Sequence, residues 1–247
     1  MFRLKALYIG LSKARRNRSL MRMRAKPWAG PELDACPFFL RGPQRMKNHW
    51  LEWFPHKQPL YLELGCGKGW FLAGMAPQHP AYNFLGIDMK DAVLAPAKRK
   101  IEAAFGDRPI ENVALTAYDI ERLPDIMGEK DHVERIYINF CNPWPRPRHH
   151  KRRLTHPRQL LLYRTLLSPG AELWFKTDDD ALFAATLQYL PQAGFTVFAQ
   201  TYNLHALEDP DNILTEHEAK FLEQGIPIKA LKARMEAVVP ETDRPAI

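Results

Sequence analysis

Residues 60–69 constrain the fold more tightly than any other stretch. An apolar run, Leu60-Tyr61-Leu62, leads into Glu63-Leu64-Gly65-Cys66-Gly67-Lys68-Gly69 and straight on into a helical pattern. Glycines at such a strand-to-helix turn let the backbone come close to a ligand, as in nucleotide-binding folds. The GxGxG spacing alone fits a purely structural turn equally well, so its neighbours must decide.

Strand-like and helix-like segments alternate through the rest of the chain, the pattern of a mostly parallel, doubly wound α/β sheet covered on both faces. Strands are predicted near 60–64, 83–87, 113–118, 135–140, 171–176 and 195–202, with helices near 70–77, 91–104, 159–167 and 180–192. Pro96 should kink the second helix or mark its first turn. A last helix near 216–223 and a short strand near 228–232 finish the sheet. Residues 27–240 thus read as one domain, with 241–247 as a tail. Within it, 27–58 is rich in Pro and Trp, with Pro37-Phe38-Phe39, and reads as an ordered lead-in docked by its aromatics. Residues 1–26 carry many Lys and Arg and no acid, which admits a disordered basic arm, an organellar presequence or a start codon placed too early. The run beginning at Met21 makes a plausible start, so an arm or a misplaced start is preferred.

The formal charge of +7 favours an anionic partner only if it is clustered. It is: the strand-like Ile136-Tyr137-Ile138-Asn139-Phe140 ends in Cys141-Asn142-Pro143-Trp144-Pro145, and Arg146, Arg148, His149, His150, Lys151, Arg152 and Arg153 follow. Arg binds phosphate bidentately and Lys adds a point charge, so nucleic acid is the favoured partner. His149 and His150 have no spaced partners and read as phosphate contacts rather than metal ligands. The three cysteines form no CxxC, which suggests neither a disulfide framework nor zinc and fits a reducing cytosol. No apolar run approaches the roughly 20 residues of a membrane span, so a soluble, cytoplasmic protein is expected, monomeric or homodimeric.

Acids close successive predicted strands. Glu63 stands at the mouth of the glycine turn, and Asp88 follows at roughly the twenty-residue offset expected of an acid that holds ribose hydroxyls. A carboxylate at that mouth disfavours a dinucleotide phosphate but suits the ammonium of S-adenosylmethionine. Asp119, ending the third strand, can accept from an adenine amino group. Any one of these acids is equally a helix cap; three in register along the carboxyl edge are not easily accidental. Asn142 ends the fourth strand, where it can face both cofactor and incoming base. Trp144 either packs under the turn, which is preferred, or stacks on a nucleobase. Lys176-Thr177-Asp178 ends the fifth strand: Asp178 can reach the Watson-Crick edge of guanine, and Asp180 can cap the next helix. Thr215-Glu216-His217-Glu218 is either a capping box or part of the site, and the two roles can coexist.

In these residues the chain resembles the bacterial tRNA (guanine-N7-)-methyltransferase family, TrmB. The likeness runs in register from Met21 to about Met235. It takes in Arg22-Met23-Arg24-Ala25-Lys26-Pro27-Trp28, the 63–69 turn, Arg148-His149-His150-Lys151-Arg152-Arg153, Lys176-Thr177-Asp178 and Thr215-Glu216-His217-Glu218. The resemblance implies a Rossmann-like enzyme that moves a methyl group from S-adenosylmethionine to N7 of guanosine at tRNA position 46, in the variable loop. It implies that Glu63, Gly65, Gly67, Gly69, Asp88, Asp119 and Asn142 line the cofactor site. Arg146, Asp178, Thr215, Glu216, His217 and Glu218 would contact substrate, and 148–153 would contact RNA. Arg146 replaces the usual Lys. Asn142 replaces the Asp of the family's Asp-Pro-Trp turn. N7 carries a free lone pair, so no base is needed and the burden falls on approach geometry and electrostatics. Asn142 keeps an acceptor oxygen but loses the charge, which leaves a cofactor- and tRNA-binding protein of weak or no activity as the alternative. A protein or small-molecule methyl acceptor is a third reading, disfavoured by the cationic run.

Overall fold

The computed structural model describes residues 26–236. The stretches 1–25 and 237–247, with the Arg22-to-Ala25 part of the motif and nearly all of the basic arm, lie outside the described residues. Eight strands form one sheet: β1 (Phe39–Leu40), β2 (Leu60–Leu64), β3 (Asn83–Asp88), β4 (Val113–Ala117), β5 (Val133–Asn139), β6 (Leu167–Thr177), β7 (Phe195–Thr201) and β8 (Lys229–Met235). Their order is β1-β4-β3-β2-β5-β6-β8-β7. The strands from β1 across to β6 are parallel, and β8 runs antiparallel to both β6 and β7.

Every residue of β2 is buried, because helices cover both faces of the sheet. Leu60, Leu62 and Leu64 point into a core shared with α5 (Pro157–Arg164) and α6 (Asp180–Gln192). Tyr61 points the other way, into a core shared with α1 (Ala29–Asp34), α3 (Trp70–Met75) and α4 (Asp91–Phe105). Strand β5 alternates likewise, with Ile136 and Ile138 on one side and Tyr137 on the other. β2 is hydrogen-bonded to β3 on one flank and β5 on the other, so the strand order reverses there. In open α/β sheets, that reversal opens a crevice at the carboxyl edge.

The expected order of elements is present, with shifted ends. β6 starts at Leu167, where a helix was expected to end; α5 already stops at Arg164. The final strand is longer than expected and inserts between β6 and β7, a pairing that local pattern does not encode. Pro96 lies in the interior of α4, not its first turn. Lacking an N–H, it frees the carbonyl of Ala92 four residues back, and Lys26 Nζ donates to that oxygen at 3.1 Å.

The lead-in adds an edge strand. Leu115 N donates to Phe38 O at 2.8 Å, and Thr116 Oγ1 to Leu40 O at 2.8 Å. A short helix, α2 (Trp50–Trp53), then drives Trp50 into the core, with its indole N–H on Ile126 O at 2.8 Å. Asp131, fully buried, accepts from the backbone N–H groups of Asn48, Trp50 and Gly128. The aromatics therefore do dock the lead-in, assisted by one buried acid that the sequence does not single out. Replacing Trp50 by Ala should cost about 3–5 kcal/mol, read as a lowered thermal transition, whereas Trp50→Phe should lose mainly the indole bond.

Candidate functional site

The glycine turn is held by packing and by Asp88 together. Gly69 adopts φ 70°, and a Cβ there would stand 2.8 Å from Cβ of Ala97 on α4, so no larger residue fits this strand-to-helix turn. Gly67 N donates to Asp88 Oδ2 at 3.0 Å, and Met89 N to Asp88 Oδ1 at 2.7 Å, fixing the carboxylate at the end of β3. Burial nevertheless raises the Asp88 carboxyl above its ordinary value, and these N–H donors only partly offset it.

A crevice of 400 Å³ opens over this turn. Its lining includes Glu63, Gly65, Gly67, Asp88, Asn139 and His217. Glu63 is 3% exposed. Its Oε1 accepts from Asn139 Nδ2 at 3.0 Å, and its Oε2, equally buried, has no partner among the described residues. Burial pushes this carboxyl up to about 8; the Asn139 hydrogen bond and the positive charge of Lys176 pull it down, and Asp88 opposes them. A desolvated acid with one orphaned oxygen facing a crevice fits a cationic ligand group.

The wall opposite the glycine turn is the start of α7 (Glu216–Glu223). Thr215 and Glu218 form the expected capping box, with Glu218 N on Thr215 Oγ1 and Thr215 N on Glu218 Oε2. Glu218 is fully buried and ion-paired with Lys176 at 2.9 Å, so this side chain does not reach the crevice. Glu216 and His217 do. Glu216 Oε1 accepts from Lys68 of the glycine turn at 2.9 Å and from Lys220 at 2.8 Å, which holds its carboxyl down at about 2. His217 stacks on Phe140, ring centroids 5.5 Å apart.

Past β5 the backbone is strained. Phe140 has φ 55° and Trp144 φ 43°, left-handed values unusual for bulky residues and typical of functional turns. Between them, Asn142 is exposed, and its Oδ1 accepts from Trp144 N at 3.1 Å. Asn142 does not line the crevice; Asn139 and Phe140 do. Asp119 lies off it too, its Oδ1 accepting from Glu121 N at 2.9 Å as the cap of the turn that follows β4. Asp178, half-buried just past β6, is likewise outside the crevice lining. The cap of α6 is Asp179, whose Oδ1 accepts from Leu182 N at 2.8 Å, not Asp180, which instead pairs with Lys229.

The cationic run forms a short 3-10 helix, Pro147–Arg152, beside the Asn142-Pro143-Trp144 turn. Arg146, Arg148 and Lys151 are exposed and make no ion pair among the described residues. Arg152 lies over the Trp144 ring at 4.4 Å and pairs with Glu121 at 3.3 Å, so Trp144 packs rather than standing free. His149 Nε2 accepts from Arg148 Nε at 3.1 Å; desolvation and the neighbouring guanidiniums lower this imidazole below its ordinary value. Arg153 departs from the expected surface arm. It is 3% exposed, and its Nε donates to Pro143 O at 2.9 Å, bracing the turn from beneath. Asn139 and Lys176 are site residues to which the sequence reading assigns no role, although Lys176 opens the Lys176-Thr177-Asp178 motif. Their signal, polar side chains near the ends of otherwise apolar strands, becomes legible only with the register that sets Asn139 beside Lys176.

Among the described residues no cluster of His, Cys, Asp and Glu is arranged to hold a metal, and no helix is long and apolar enough to cross a membrane. The family described as "Putative methyltransferase" matches residues 57–231. A tRNA (guanine-N(7)-)-methyltransferase of Clostridium beijerinckii is 52% identical over 215 residues, 86% of this chain and 98% of that protein. One from Clostridium perfringens is 50% identical over 217 residues, covering 87% and 99%. Among solved structures, the 16S rRNA methyltransferase KamB shares the fold with TM-score 0.54 at 16% identity, covering 72% of this chain and 88% of that one.

The raised Glu63 carboxyl yields a signed expectation. With its folded pKa above the ordinary 4.5, Glu63 adds stability that is fully present below pH 4.5 and lost as pH rises through about 8. A bound ammonium reverses this preference by favouring the carboxylate. Binding of S-adenosylmethionine at pH 7 should therefore release protons, up to one for each ligand bound. Calorimetry in buffers of different ionisation heat reads that release, and Glu63→Gln should abolish it.

Proposed function

The chain belongs to the tRNA (guanine-N(7)-)-methyltransferase family, and from that premise we propose how its carboxyl-edge crevice and cationic turn divide the work. It is an S-adenosylmethionine-dependent tRNA methyltransferase. The observation that carries the assignment of the site is the orphaned, buried Glu63 Oε2 beside the glycine turn, an acceptor suited to the cofactor's ammonium. Asp88, oriented by two backbone N–H groups, is placed for ribose hydroxyls, and Gly65, Gly67 and Gly69 keep the floor low. Held by Glu63, Asp88 and the glycine turn, the cofactor would supply an electrophilic methyl group on its sulfonium, so that a bond from the guanine N7 lone pair to the methyl carbon would form as the C–S bond breaks with its electron pair left on sulfur.

The accepted base lies in the variable loop of tRNA, at position 46, and the enzyme works in the cytosol. The chain's own residues supply placement rather than proton transfer. Phe140 and Trp144, both in left-handed conformations, set the turn bearing Asn142, and Arg153 braces it from below. Asn142 Oδ1 is committed to Trp144 N, so its role is to hold the turn's shape. An Asp there would make the same turn and add a charge for the developing guanine cation. Arg146, Asp178, Glu216 and His217 are the substrate-side groups, and Arg148, His149, His150, Lys151 and Arg152 meet the RNA backbone. Thr215, as the N-cap of α7, and Glu218, inside it, hold this surface in shape.

Digestion of bulk tRNA after incubation with labelled S-adenosylmethionine should place the label in N7-methylguanosine. Bound cofactor and tRNA without that product would favour a non-catalytic binding protein. In single-turnover assays Asn142→Asp should be faster and Asn142→Ala slower than the native protein, each by about tenfold, equivalent to about 1.4 kcal/mol of barrier. Equal rates for Asn and Ala would remove the positioning role. Neutralising Arg148, Lys151 and Arg152 together should weaken tRNA binding and flatten its salt dependence by about 0.7–0.9 in log-log slope for each phosphate no longer neutralised, with cofactor affinity unchanged.

A further inference from the structure

Lys176 is heavily engaged close to the crevice. It sits on β6 directly beside Asn139 of β5, and Asn139 in turn bonds Glu63 of β2, so three neighbouring strand ends carry a line of polar groups under the crevice. Its ammonium has three N–H donors, and three acceptors take them: Glu218 Oε2 at 2.9 Å, Asn212 Oδ1 at 2.9 Å and Ile213 O at 3.1 Å. A neutral amine has one donor too few for this set. Burial disfavours the charged form, and the fully buried Glu218 carboxylate opposes that.

All three acceptors belong to one segment, residues 212–218, which leads into the crevice wall. Glu218 also accepts from Thr215 N and from Asn212 Nδ2, so the turn is tied to itself as well as to β6. The segment seats closely against α3: a Cβ at Gly74 would stand 2.5 Å from Ile213 Cγ2. Seen from Glu63, the groups in view are Asn139 from β5, Lys176 from β6, Asp88 from β3 and Cys66 from its own loop. Lys176 is the cation of that set.

We propose that Lys176 is a positioning residue for methyl transfer: it pins the 212–218 segment, with Glu216 and His217, as a wall of the crevice and supplies the positive charge that Glu63 faces. The inference rests on the cofactor reading of Glu63 given above. It assigns Glu218 an internal role, as an acceptor of this knot in place of direct substrate contact, with Thr215 donating its N–H to the same carboxylate.

Removing Lys176 alone strands a buried carboxylate and risks misfolding, whereas replacing both charges by apolar residues of similar size is often tolerated. The test therefore uses Lys176→Met/Glu218→Met beside Lys176→Arg and Glu63→Gln. Affinity for S-adenosylmethionine is titrated against pH, and amide hydrogen exchange of 212–218 is followed in the cofactor-free protein. The ligand's own amine titrates identically in every variant, so differences report the protein. In the folded double variant, the pH of half-maximal affinity should rise by roughly half a unit or more, from loss of a nearby opposite charge. Exchange in 212–218 should quicken by about tenfold or more, the signature of a locally loosened segment. Lys176→Arg, which keeps the charge, should hold the wild-type pH midpoint. A folded double variant with either readout at its wild-type value overturns the proposal. A pH profile unchanged by Glu63→Gln overturns it differently, by removing the ammonium site on which it stands.

Discussion

The hydrogen bond from Asn139 to Glu63 is the constraint on which the site depends. It joins the carboxyl ends of β2 and β5, the pair of strands between which the sheet's order reverses. An asparagine amide satisfies one carboxyl oxygen and leaves the other buried without a partner among the described residues, at a cost of about 1–3 kcal/mol for an unsatisfied polar group. A core assembled only for stability would have filled that place with an apolar residue. The unmet oxygen stores a preference for a cation at the edge where the glycine turn leaves room for one.

The surrounding charges differ in weight because they differ in burial. Lys68–Glu216 and Arg152–Glu121 are partly exposed, and such pairs contribute about 0–1 kcal/mol each. Lys176–Glu218 is buried, so its desolvation is recovered only through the complete set of donors and acceptors around both groups. This hierarchy gives the crevice one rigid wall root and a softer rim. The cationic turn stands outside both, and it is strained at Phe140 and Trp144 yet locked by Arg153 and Arg152.

Much of this was legible in the residue order. The glycine turn, Asp88 about one strand later, the capping box at Thr215 and the density of cations after Trp144 are local patterns whose physics acts within a few residues or follows from regular alternation. Where two local solutions competed, the order of residues left them equal: Asp179 caps α6 although Asp180 was the expected cap, because the cap depends on which residue leaves helical φ and ψ first. Arg153 looked like one more member of the arm, since the chain's path beneath the Pro143 carbonyl is not written in a cationic run. The antiparallel insertion of β8 between β6 and β7 was equally hidden, because strand pairing is chosen by partners far apart in the chain.

The sequence by itself thus determined the fold class, the family and the chemical kinds of groups on offer, for these follow from periodicity, turn residues and contiguous motifs. Only the tertiary structure decided which groups act together. Glu63, Asn139 and Lys176 are separated by 76 and 37 residues in the chain, yet they are neighbours because β2, β5 and β6 lie side by side in register. Burial at that junction then turned an ordinary carboxyl, an amide and a lysine into a polar line beneath the crevice, an outcome of shared desolvation that no single residue type carries.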